Sequence, residues 1–243
     1  MLAATLLFHS RIPTPMPAQS ASADYAIKPD PYSSHSVILR SIPPSSHVLD
    51  IGCWDGALGA ILQRDKGCMV TGIEGHAKAA AKAKHCLKKA IHANIETHTF
   101  TGSYDAIIIA DVLEHLRNPE QVLRRAIKAL KPQGSIIISV PNTAHLWIRL
   151  NLLLGRWEYA DKGIMDRTHM RWFTKKTFLR LLRDADLVIE SVTPTPAPLP
   201  VMHPSFRDGH IFYPIYQLSA LLPRLHQGLF AFQFVAIARR QRR

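Results

Sequence analysis

The feature that most constrains the fold of this chain is a regular alternation of aliphatic runs with helix-like segments between residues 48 and 140. Five short runs have the composition of buried strands, and the segments between them, such as the Ala- and Lys-rich stretch 77–90, have that of helices. Strands that alternate with helices form a parallel sheet covered on both faces, with right-handed crossovers. The sequence therefore predicts an α/β fold, and 243 residues suffice for one such domain with a full core.

Two further strands are expected after residue 141, which gives seven in all. The expected strands occupy residues 48–51, 68–73, 91–94, 104–110, 134–140, 187–192 and 229–238. The expected helices occupy residues 33–41, 56–64, 77–90, 119–130, 144–154 and 174–185. Lys131-Pro132 is expected to end the fourth of these helices, and Thr174 to cap the last one.

The domain organisation follows from composition. Residues 1–24 are rich in Pro, Ser and Ala without periodicity, so they are expected to be a disordered leader. A single domain is expected over 25–243. It would carry a lid-like region at 142–173 and an insertion at 194–228 between the last two strands. Within the insertion, residues 211–225 predict an amphipathic helix, which could lie on an acidic membrane or pack at the sheet edge or a dimer interface.

A glycine-containing turn follows the first strand, where open α/β sheets bind ligands. A phosphate-binding P-loop needs GxxxxGK followed by Ser or Thr, and this turn has neither the Lys nor the hydroxyl. A dinucleotide site needs GxGxxG, but Trp54 stands at the middle glycine position between Gly52 and Gly56. ATP is thereby excluded and NAD is disfavoured.

The turn resembles the cofactor loop of class I S-adenosylmethionine (SAM)-dependent methyltransferases, whose signature is an acidic residue followed by Gly-Cys-Gly-x-Gly. Asp50, Gly52, Cys53 and Gly56 match this signature, and Trp54 departs from it. The resemblance implies SAM as the cofactor. It also implies a Rossmann-like, mostly parallel sheet of seven strands, with helices on both faces and a reversed last strand.

Further residues match the family at the ends of later strands. Glu74 ends the second strand, where the resemblance implies hydrogen bonds to the ribose hydroxyls. Asn94 stands where the family has an acidic residue against the adenine amino group, and Ile95 where it has a residue packed on the ring. The segment ADVLEHL, residues 110–116, implies contacts of Asp111 and His115 with the methionine half of SAM.

The lid-like region resembles methyltransferases related to the methionine-biosynthesis W-type proteins and to enzymes found among glycan-assembly genes. It contains His145 and His169, and histidine can take a proton from an attacking hydroxyl near neutral pH. These two and His115 are the candidate catalytic residues. Arginines of the same region, Arg149, Arg167 and Arg171, could hold a carboxylate or phosphate. The alternative is that His169 and Arg171 only brace the loop against Asp166.

Charge and cysteine content bear on partners and compartment. The net charge of +12 favours an anionic partner or a membrane surface. Nucleic acid is disfavoured, because no basic cluster with interleaved aromatic residues is present. No pair of the three cysteines has CxxC spacing, so no metal site or disulfide framework is expected, and a reducing cytoplasm is the expected location. No apolar run is long enough to span a bilayer.

The expected function is SAM-dependent methyl transfer to an oxygen, a hydroxyl or a carboxyl, of a small-molecule or glycan- or lipid-linked substrate. Two alternatives stay open from the sequence. Trp54 and Asn94 depart from the family pattern, as they would in a non-catalytic partner protein with a methyltransferase fold. The positive net charge would also suit an RNA methyltransferase.

Overall fold

The seven expected strands form one sheet in the computed structural model, which describes residues 30–241. They are β1 (His47–Ile51), β2 (Met69–Glu74), β3 (Lys89–His92), β4 (Tyr104–Ala110), β5 (Leu130–Pro141), β6 (Leu187–Thr195) and β7 (Gln233–Arg240). Their order across the sheet is β3-β2-β1-β4-β5-β7-β6. The first five strands run parallel, and β7 is antiparallel to both of its neighbours. The Rossmann-like sheet with a reversed last strand is confirmed.

Ten α-helices connect or flank the strands within the described residues. They are α1 (Ser34–Ser41), α2 (Ala57–Lys66), α3 (Ala77–Cys86), α4 (Pro119–Lys128), α5 (Leu146–Leu153), α6 (Lys175–Asp184), α7 (Leu199–Met202), α8 (Tyr213–Ser219), α9 (Leu222–Leu225) and α10 (Gln227–Phe230). Thr174 caps α6 as expected, in a reciprocal box with Thr177. No helix of residues 30–241 combines the length and hydropathy that a bilayer span requires.

Both faces of the sheet are buried, as the near-continuous aliphatic runs predict. Alternate residues of β4 point to opposite faces, so Ile107 and Ile109 join one core layer and Ile108 the other, all fully buried. The strand order reverses at β1, which pairs with β2 on one side and β4 on the other. Ligands of open α/β sheets bind beyond the carboxyl ends of the strands at such a point.

The third helix and third strand differ from their expected boundaries. The expected helix 77–90 ends at Cys86, and β3 occupies residues 89–92 instead of 91–94. Leu87 leaves the helix because its side chain fills space opened by glycines of neighbouring elements. A Cβ atom added at Gly59 or at Gly72 would lie 2.6 Å from the Leu87 side chain. Tertiary packing therefore overrides the helix propensity of the Ala- and Lys-rich stretch.

Lys131-Pro132 was expected to end the fourth helix, but α4 already ends at Lys128 and the pair lies inside a strand. β5 begins at Leu130, which pairs with Tyr104 before the register shifts. The Lys131 ammonium lies 2.8 Å from the Asp105 carboxylate of β4 and ties the irregular start of the strand to its neighbour. The proline has no N–H to donate, and it falls at this irregularity, where strands accept proline.

The insertion is more broken than its sequence predicts. The expected helix 211–225 is divided into α8 and α9, because Pro223 stands in the first turn of α9 and lacks an N–H for a continuous helix. Residues 227–230 form α10, capped by His226, so the last strand begins at Gln233 and not at residue 229. Tyr216 of α8 is fully buried and donates its hydroxyl hydrogen to the Asp30 carboxylate. The leader expected at residues 1–24 lies outside the described residues.

Candidate cofactor site and lid

The glycine-containing loop between β1 and α2 packs directly on the loop that follows β4. Gly52 has φ +77°, and a Cβ atom there would overlap Cγ2 of Val112. Gly56 has φ +83° and donates its N–H to the Cys53 carbonyl at 2.9 Å. A Cβ atom at Gly56 would also lie 3.1 Å from the Ala83 Cα, so both positions need glycine for space as well as for conformation. This packing joins the expected cofactor loop to the ADVLEHL segment.

Trp54 occupies the loop position where the class I signature has glycine. Its φ of +50° lies in the left-handed region that residues with a side chain rarely adopt. Two contacts hold it there. Its main-chain N–H donates to Oε2 of Glu74 at 2.9 Å, and its indole stacks on the His76 ring with 5.3 Å between centroids. The loop therefore keeps a glycine-like backbone although the residue is tryptophan.

Glu74 is buried at the end of β2 and fastens the loop by both carboxylate oxygens. Oε2 accepts from Trp54, and Oε1 accepts the main-chain N–H of His76 at 2.7 Å. Each carboxylate oxygen can accept a second hydrogen bond, so capacity for two more donors remains. A carboxylate in this state can receive two hydroxyls of a ligand.

Asp50 places a buried carboxyl group beneath the same loop. Its Oδ2 has no hydrogen-bond partner within residues 30–241. Burial and the nearby charge of Glu74 raise the pKa of Asp50 to about 7. Burial, with the charges of Asp50 and Glu74, also raises the pKa of the Cys53 thiol, which stays protonated. A buried carboxyl oxygen without a donor is costly unless a ligand supplies a donor or a positive charge.

The turn after β3 presents Asn94 and Ile95. The Asn94 side-chain oxygen accepts the Glu96 N–H at 2.9 Å, so it supports its own turn and keeps one lone pair for a ligand. Ile95 is half-buried against the core. The Arg125 guanidinium donates to the carbonyl oxygens of Ile95 and Glu96 at 3.0 and 2.6 Å, which fixes the turn to α4.

Asp111 directly follows β4 and lies in the left-handed region, with φ +54°. Its carboxylate turns toward the neighbouring strands: Oδ1 accepts the Ser139 hydroxyl at 2.7 Å and Oδ2 accepts the Gln233 amide at 2.8 Å. Asp111 therefore links β4 to β5 and β7. The sequence analysis missed Ser139 and Gln233 as its partners, and no local pattern joins residues so far apart.

Glu114, His115 and His169 come together at the carboxyl edge of the sheet, between the loop after β4 and the lid. The lid is held there by its backbone, since the N–H groups of Met170 and Arg171 donate to the Glu114 carbonyl at 2.8 and 2.9 Å. The two imidazole rings meet edge to face with 4.8 Å between centroids. One ligand-type atom from each of the three side chains lies within 4.8 Å of the others.

Glu114 was not among the expected site residues, although it stands inside the ADVLEHL segment that carries the resemblance. Its side chain is 1% exposed, and Oε2 has no hydrogen-bond partner in the described part of the chain. Burial, followed by the charge of Asp111, raises the pKa of Glu114 well above its ordinary value. An acidic residue directly after the buried aliphatic pair Val112-Leu113 was the signal that could have indicated it.

The hydrogen bonds of the three candidate histidines define their tautomers. Nδ1 of His169 lies 3.1 Å from the Ile164 carbonyl, which can only accept, so Nδ1 carries the hydrogen and Nε2 keeps a lone pair. Nδ1 of His115 lies near the carbonyl oxygen and the hydroxyl oxygen of Thr168. The Thr168 hydroxyl donates its hydrogen to Asp166, so both oxygens can only accept from His115, and Nδ1 carries the hydrogen. His115 therefore also presents the lone pair of Nε2.

His145 has the opposite arrangement. Its Nδ1 accepts the Trp147 N–H at 3.2 Å and caps α5, so in the neutral ring Nε2 carries the hydrogen. Burial lowers the pKa of both His145 and His169, and for His169 the charge of His115 adds to this effect. Neutral rings are thereby favoured at both positions. Only His169 and His115 then offer a free acceptor nitrogen.

The lid arginines expected to bind an anion already have partners. Arg171 donates to the Arg117 carbonyl, Arg149 donates to the Ala144 carbonyl at 2.7 Å, and Arg167 pairs with Asp161 at 2.8 Å. Asp166, which the sequence suggested as a brace for His169 and Arg171, receives the Thr168 hydroxyl on its carboxylate and the His169 N–H on its carbonyl. The brace therefore acts mainly through Thr168.

A family described as a methyltransferase domain matches residues 31–192, most of the chain. The chain belongs to this family. Within the methyltransferase, the matched range contains the cofactor loop, Glu74, the Asn94 turn and the Glu114 cluster. The insertion and the last strand lie beyond it.

Relatives of this methyltransferase include enzymes of ubiquinone biosynthesis. The ubiquinone biosynthesis O-methyltransferase of Cronobacter sakazakii is 32% identical over 131 residues, which are 50% of this chain and 52% of that protein. The protein of the same name from Xanthomonas axonopodis pv. citri is 28% identical over 174 residues, 68% of this chain and 72% of that protein. The chain therefore spans about half the length of the Cronobacter relative.

Solved structures share the fold of this methyltransferase at low sequence identity. A SAM-dependent methyltransferase from Mesorhizobium loti has a TM-score of 0.57 at 16% identity and covers 86% of this chain and 98% of its own. A TehB-like SAM-dependent methyltransferase from Corynebacterium glutamicum has a TM-score of 0.55 at 16% identity, with 87% and 89% covered. These similarities support the fold and do not extend to the substrate.

The residues of the cofactor loop fit SAM, the cofactor of this family. SAM carries positive charge on its sulfonium and ammonium groups, and the unpartnered, buried Oδ2 of Asp50 needs such a charge or a donor. The two remaining acceptor sites of Glu74 suit a ribose diol. A Cβ atom at Gly52 would fill the space between the loop and Val112, so glycine there keeps the loop backbone in place.

Proposed function

We propose that this methyltransferase transfers a methyl group from SAM to a hydroxyl oxygen of a small amphiphilic, lipid-linked molecule. The observation that carries the proposal is the convergence of Glu114, His115 and His169 at the loop after β4, on which Gly52 of the cofactor loop packs through Val112. Two imidazole lone pairs there can receive a hydroxyl proton. Relatives named for O-methylation support oxygen as the accepting atom.

Asp50, Gly52, Cys53, Trp54, Gly56 and Glu74 would hold SAM, with Asn94 and Ile95 at the adenine and the backbone of Asp111 near the methionine half. SAM, when bound, supplies a methyl group activated by its sulfonium. The chain has to place the acceptor hydroxyl in line with that methyl and remove its proton. We assign the proton to Nε2 of His169 or His115. His145 is the weaker candidate, because its Nε2 carries a hydrogen in the neutral ring.

The lid and the insertion indicate an apolar acceptor. A groove of about 290 Å³ lies between α5 and the insertion, with Trp147, Leu150, Leu199 and Leu222 among its lining residues. His145 also lines it, so the groove opens beside one of the candidate histidines. Such a lining accepts an alkyl or isoprenoid chain more readily than a bare glycan, which needs hydrogen-bonding partners. Among the expected acceptors, the lining therefore favours the lipid-linked class over the glycan-linked class.

The lid and the insertion would also bring the enzyme to a membrane surface. Every exposed large apolar side chain of the described residues, except Met69 and Val188, lies within 147–170 or 201–225. Leu153 and Ile211 are 81% and 82% exposed. Cationic side chains such as Arg156 and Arg224 lie in the same two segments, and they would face anionic headgroups. A lipid-linked acceptor would be reached directly from such a surface.

The decisive experiment incubates the full chain with methyl-labelled SAM and a lipid extract and identifies the labelled product by mass spectrometry. We expect a methyl ether.

His169→Ala should lower kcat by about 100-fold or more while SAM affinity is unchanged, since general-base removal typically costs that much. His85→Ala, at an exposed histidine of α3, is the matched control. In a parallel incubation with tRNA, label in the RNA would support RNA methylation instead. SAM binding without transfer to either would support a non-catalytic partner protein.

Membrane contact has its own test. We expect the full chain to float with phosphatidylglycerol vesicles and not with phosphatidylcholine vesicles. The double variant Leu153→Ser, Ile211→Ser should lose flotation, whereas Val188→Ser, exposed outside the two segments, should keep it. Equal flotation of the double variant and the parent chain would exclude this surface.

A further inference from the structure

The side chains of Glu114, His115 and His169 form a group of acceptors without a shared donor. Oε2 of Glu114 has no hydrogen-bond partner, and no hydrogen bond joins any two of the three side chains within residues 30–241. Nε2 of each imidazole keeps its lone pair, because Nδ1 carries the hydrogen in both rings. One added proton could be shared between only two of these three acceptor atoms, and the third would still lack a partner. A cation bound to all three would satisfy the whole group.

The imidazoles are already oriented as they are in metal sites. Metal-binding histidines commonly donate their second ring nitrogen to a carbonyl or carboxylate, which fixes the tautomer and the ring plane. His169 donates to the Ile164 carbonyl. His115 donates to Thr168, whose hydroxyl is in turn bound by Asp166 at 2.6 Å. Each imidazole therefore has a supporting partner on Nδ1, which leaves Nε2 as the nitrogen that can bind an ion.

The spacing of the three atoms is close to that of a mononuclear site. They all lie within 4.8 Å of one another. Two ligands at about 2.1 Å from one ion can be at most about 4.2 Å apart. The cluster would have to contract by roughly half an ångström, which small side-chain rotations of two partly exposed histidines can provide.

We propose that Glu114, His115 and His169 bind a divalent transition-metal ion of the Zn²⁺ class. Two imidazoles and one carboxylate suit Zn²⁺, Co²⁺, Mn²⁺ or Fe²⁺, whereas Mg²⁺ and Ca²⁺ prefer oxygen ligands throughout. Three protein ligands leave coordination positions open, as in catalytic rather than structural sites. Cysteine spacing gave no indication of this site because none of its ligands is a cysteine.

The ion would join the lid to the sheet. Glu114 and His115 follow β4, and His169 belongs to the lid-like region, so the three ligands come from two separate segments. Binding should therefore stabilise the lid against local opening. In its chemical role, which rests on the proposed function, an acceptor hydroxyl would occupy an open position. With the ion bound, the imidazoles would be ligands and no longer proton acceptors; the ion would instead lower the pKa of the acceptor hydroxyl, whose proton would leave to solvent.

The test uses the full chain freed of metal by chelator and dialysis, without SAM or acceptor. Titration with ZnCl₂ should show one ion bound per chain by calorimetry. CoCl₂ should give visible absorption bands of a site with nitrogen ligands. Glu114→Gln and His169→Ala should each weaken Zn²⁺ binding by more than about 100-fold, since loss of a supporting partner alone costs 10–100-fold. His85→Ala should bind as the parent chain does.

Outcomes of this experiment separate the two proposals. No Zn²⁺ or Co²⁺ binding by the parent chain, or equal binding by Glu114→Gln and His169→Ala, would overturn the metal site and leave methyl transfer standing. Circular dichroism and SAM binding show whether each variant folds, and His115→Gln provides a third, independent ligand variant. Protection of the lid from limited proteolysis by Zn²⁺ in the parent chain, absent in His169→Ala, would support the link between lid and sheet.

Discussion

The main-chain N–H of Trp54 donates a hydrogen bond of 2.9 Å to the carboxylate of Glu74, which lies 20 residues later in the sequence. This bond joins the loop after β1 to the end of β2, the two places where the family signature indicates cofactor contacts. It also holds Trp54 in a backbone conformation that glycine adopts more easily. The contact thus compensates for the departure from the signature.

Substitutions of Trp54 should separate backbone strain from side-chain stacking. Trp54→Gly relieves a left-handed conformation that costs about 1–2 kcal/mol and loses a ring contact worth about 0.5–1.5 kcal/mol. The free energy of unfolding should therefore change by less than about 1 kcal/mol. Trp54→Val should lose about 2 kcal/mol or more, because a β-branched residue tolerates this conformation least. Urea denaturation measures both, and a valine variant as stable as the parent would contradict the interpretation.

Gly52→Ala should be strongly destabilising because the added Cβ overlaps Val112 at positive φ. We expect a loss of about 3 kcal/mol in the free energy of unfolding, from strain together with overpacking. Gly155→Ala is the matched control, since its φ is +69° with nothing within 4 Å of the added atom. Only the conformational cost of about 1 kcal/mol should appear there. Thermal or urea unfolding compares the pair, and equal losses would mean that contact with Val112 is unimportant.

Glu74→Gln should weaken SAM binding while the protein still folds. The amide keeps one acceptor oxygen for the two N–H groups of Trp54 and His76 that the carboxylate now receives. One of these N–H groups would lose its partner, at a cost of about 1–2 kcal/mol in stability. Calorimetry should show SAM affinity lower by about 10-fold or more, because a ribose hydroxyl loses its charged acceptor. Unchanged affinity would remove Glu74 from the proposed cofactor contacts.

SAM binding should depend on pH through Asp50, whose pKa of about 7 is raised by burial and by the nearby Glu74. Only the ionised carboxylate attracts the positive charge of SAM. Affinity should thus increase about 10-fold as pH rises from 6 to 8. In the cofactor-free protein, stability has the opposite dependence on pH, because folded Asp50 keeps a proton that it releases in the unfolded state. Stability should therefore fall by up to about 4 kcal/mol as pH rises from 4 to 7.

Asp50→Asn is the control for both parts of this pH prediction. It should flatten the affinity profile and remove most of the decrease in stability, and calorimetry and urea denaturation at pH 5 and pH 8 measure the two effects. Glu74 and the Cys53 thiol also face Asp50, but Cys53 stays protonated over this range because its pKa is raised. If the Asp50→Asn variant reproduces the parent profile, the titration belongs to another group.

The sequence predicted the sheet well because each strand is a continuous aliphatic run and both faces are buried. Local patterns also placed Asp50 and Glu74 near the ends of their strands, and Gly52 and Gly56 in the turn between β1 and α2. They could not show that the Asp111 carboxylate turns to Ser139 and Gln233, since Gln233 lies 122 residues away. Nor could they show that the His169 side chain lies near that of Glu114, because this depends on how the lid backbone docks on the Glu114 carbonyl. The expected helix 211–225 was wrong for a local reason, because Pro223 interrupts it.

The position of β7 has a consequence for how the chain acquires its structure. Among the described residues, β6 pairs only with β7, and β7 lies between β5 and β6. During synthesis β6 leaves the ribosome about forty residues before β7 and must wait for it, with its pairing edges unfilled. The cofactor-binding half can order itself first. We therefore expect closure of the sheet to be a late event, in which β7 inserts between β5 and β6 after both have been synthesised.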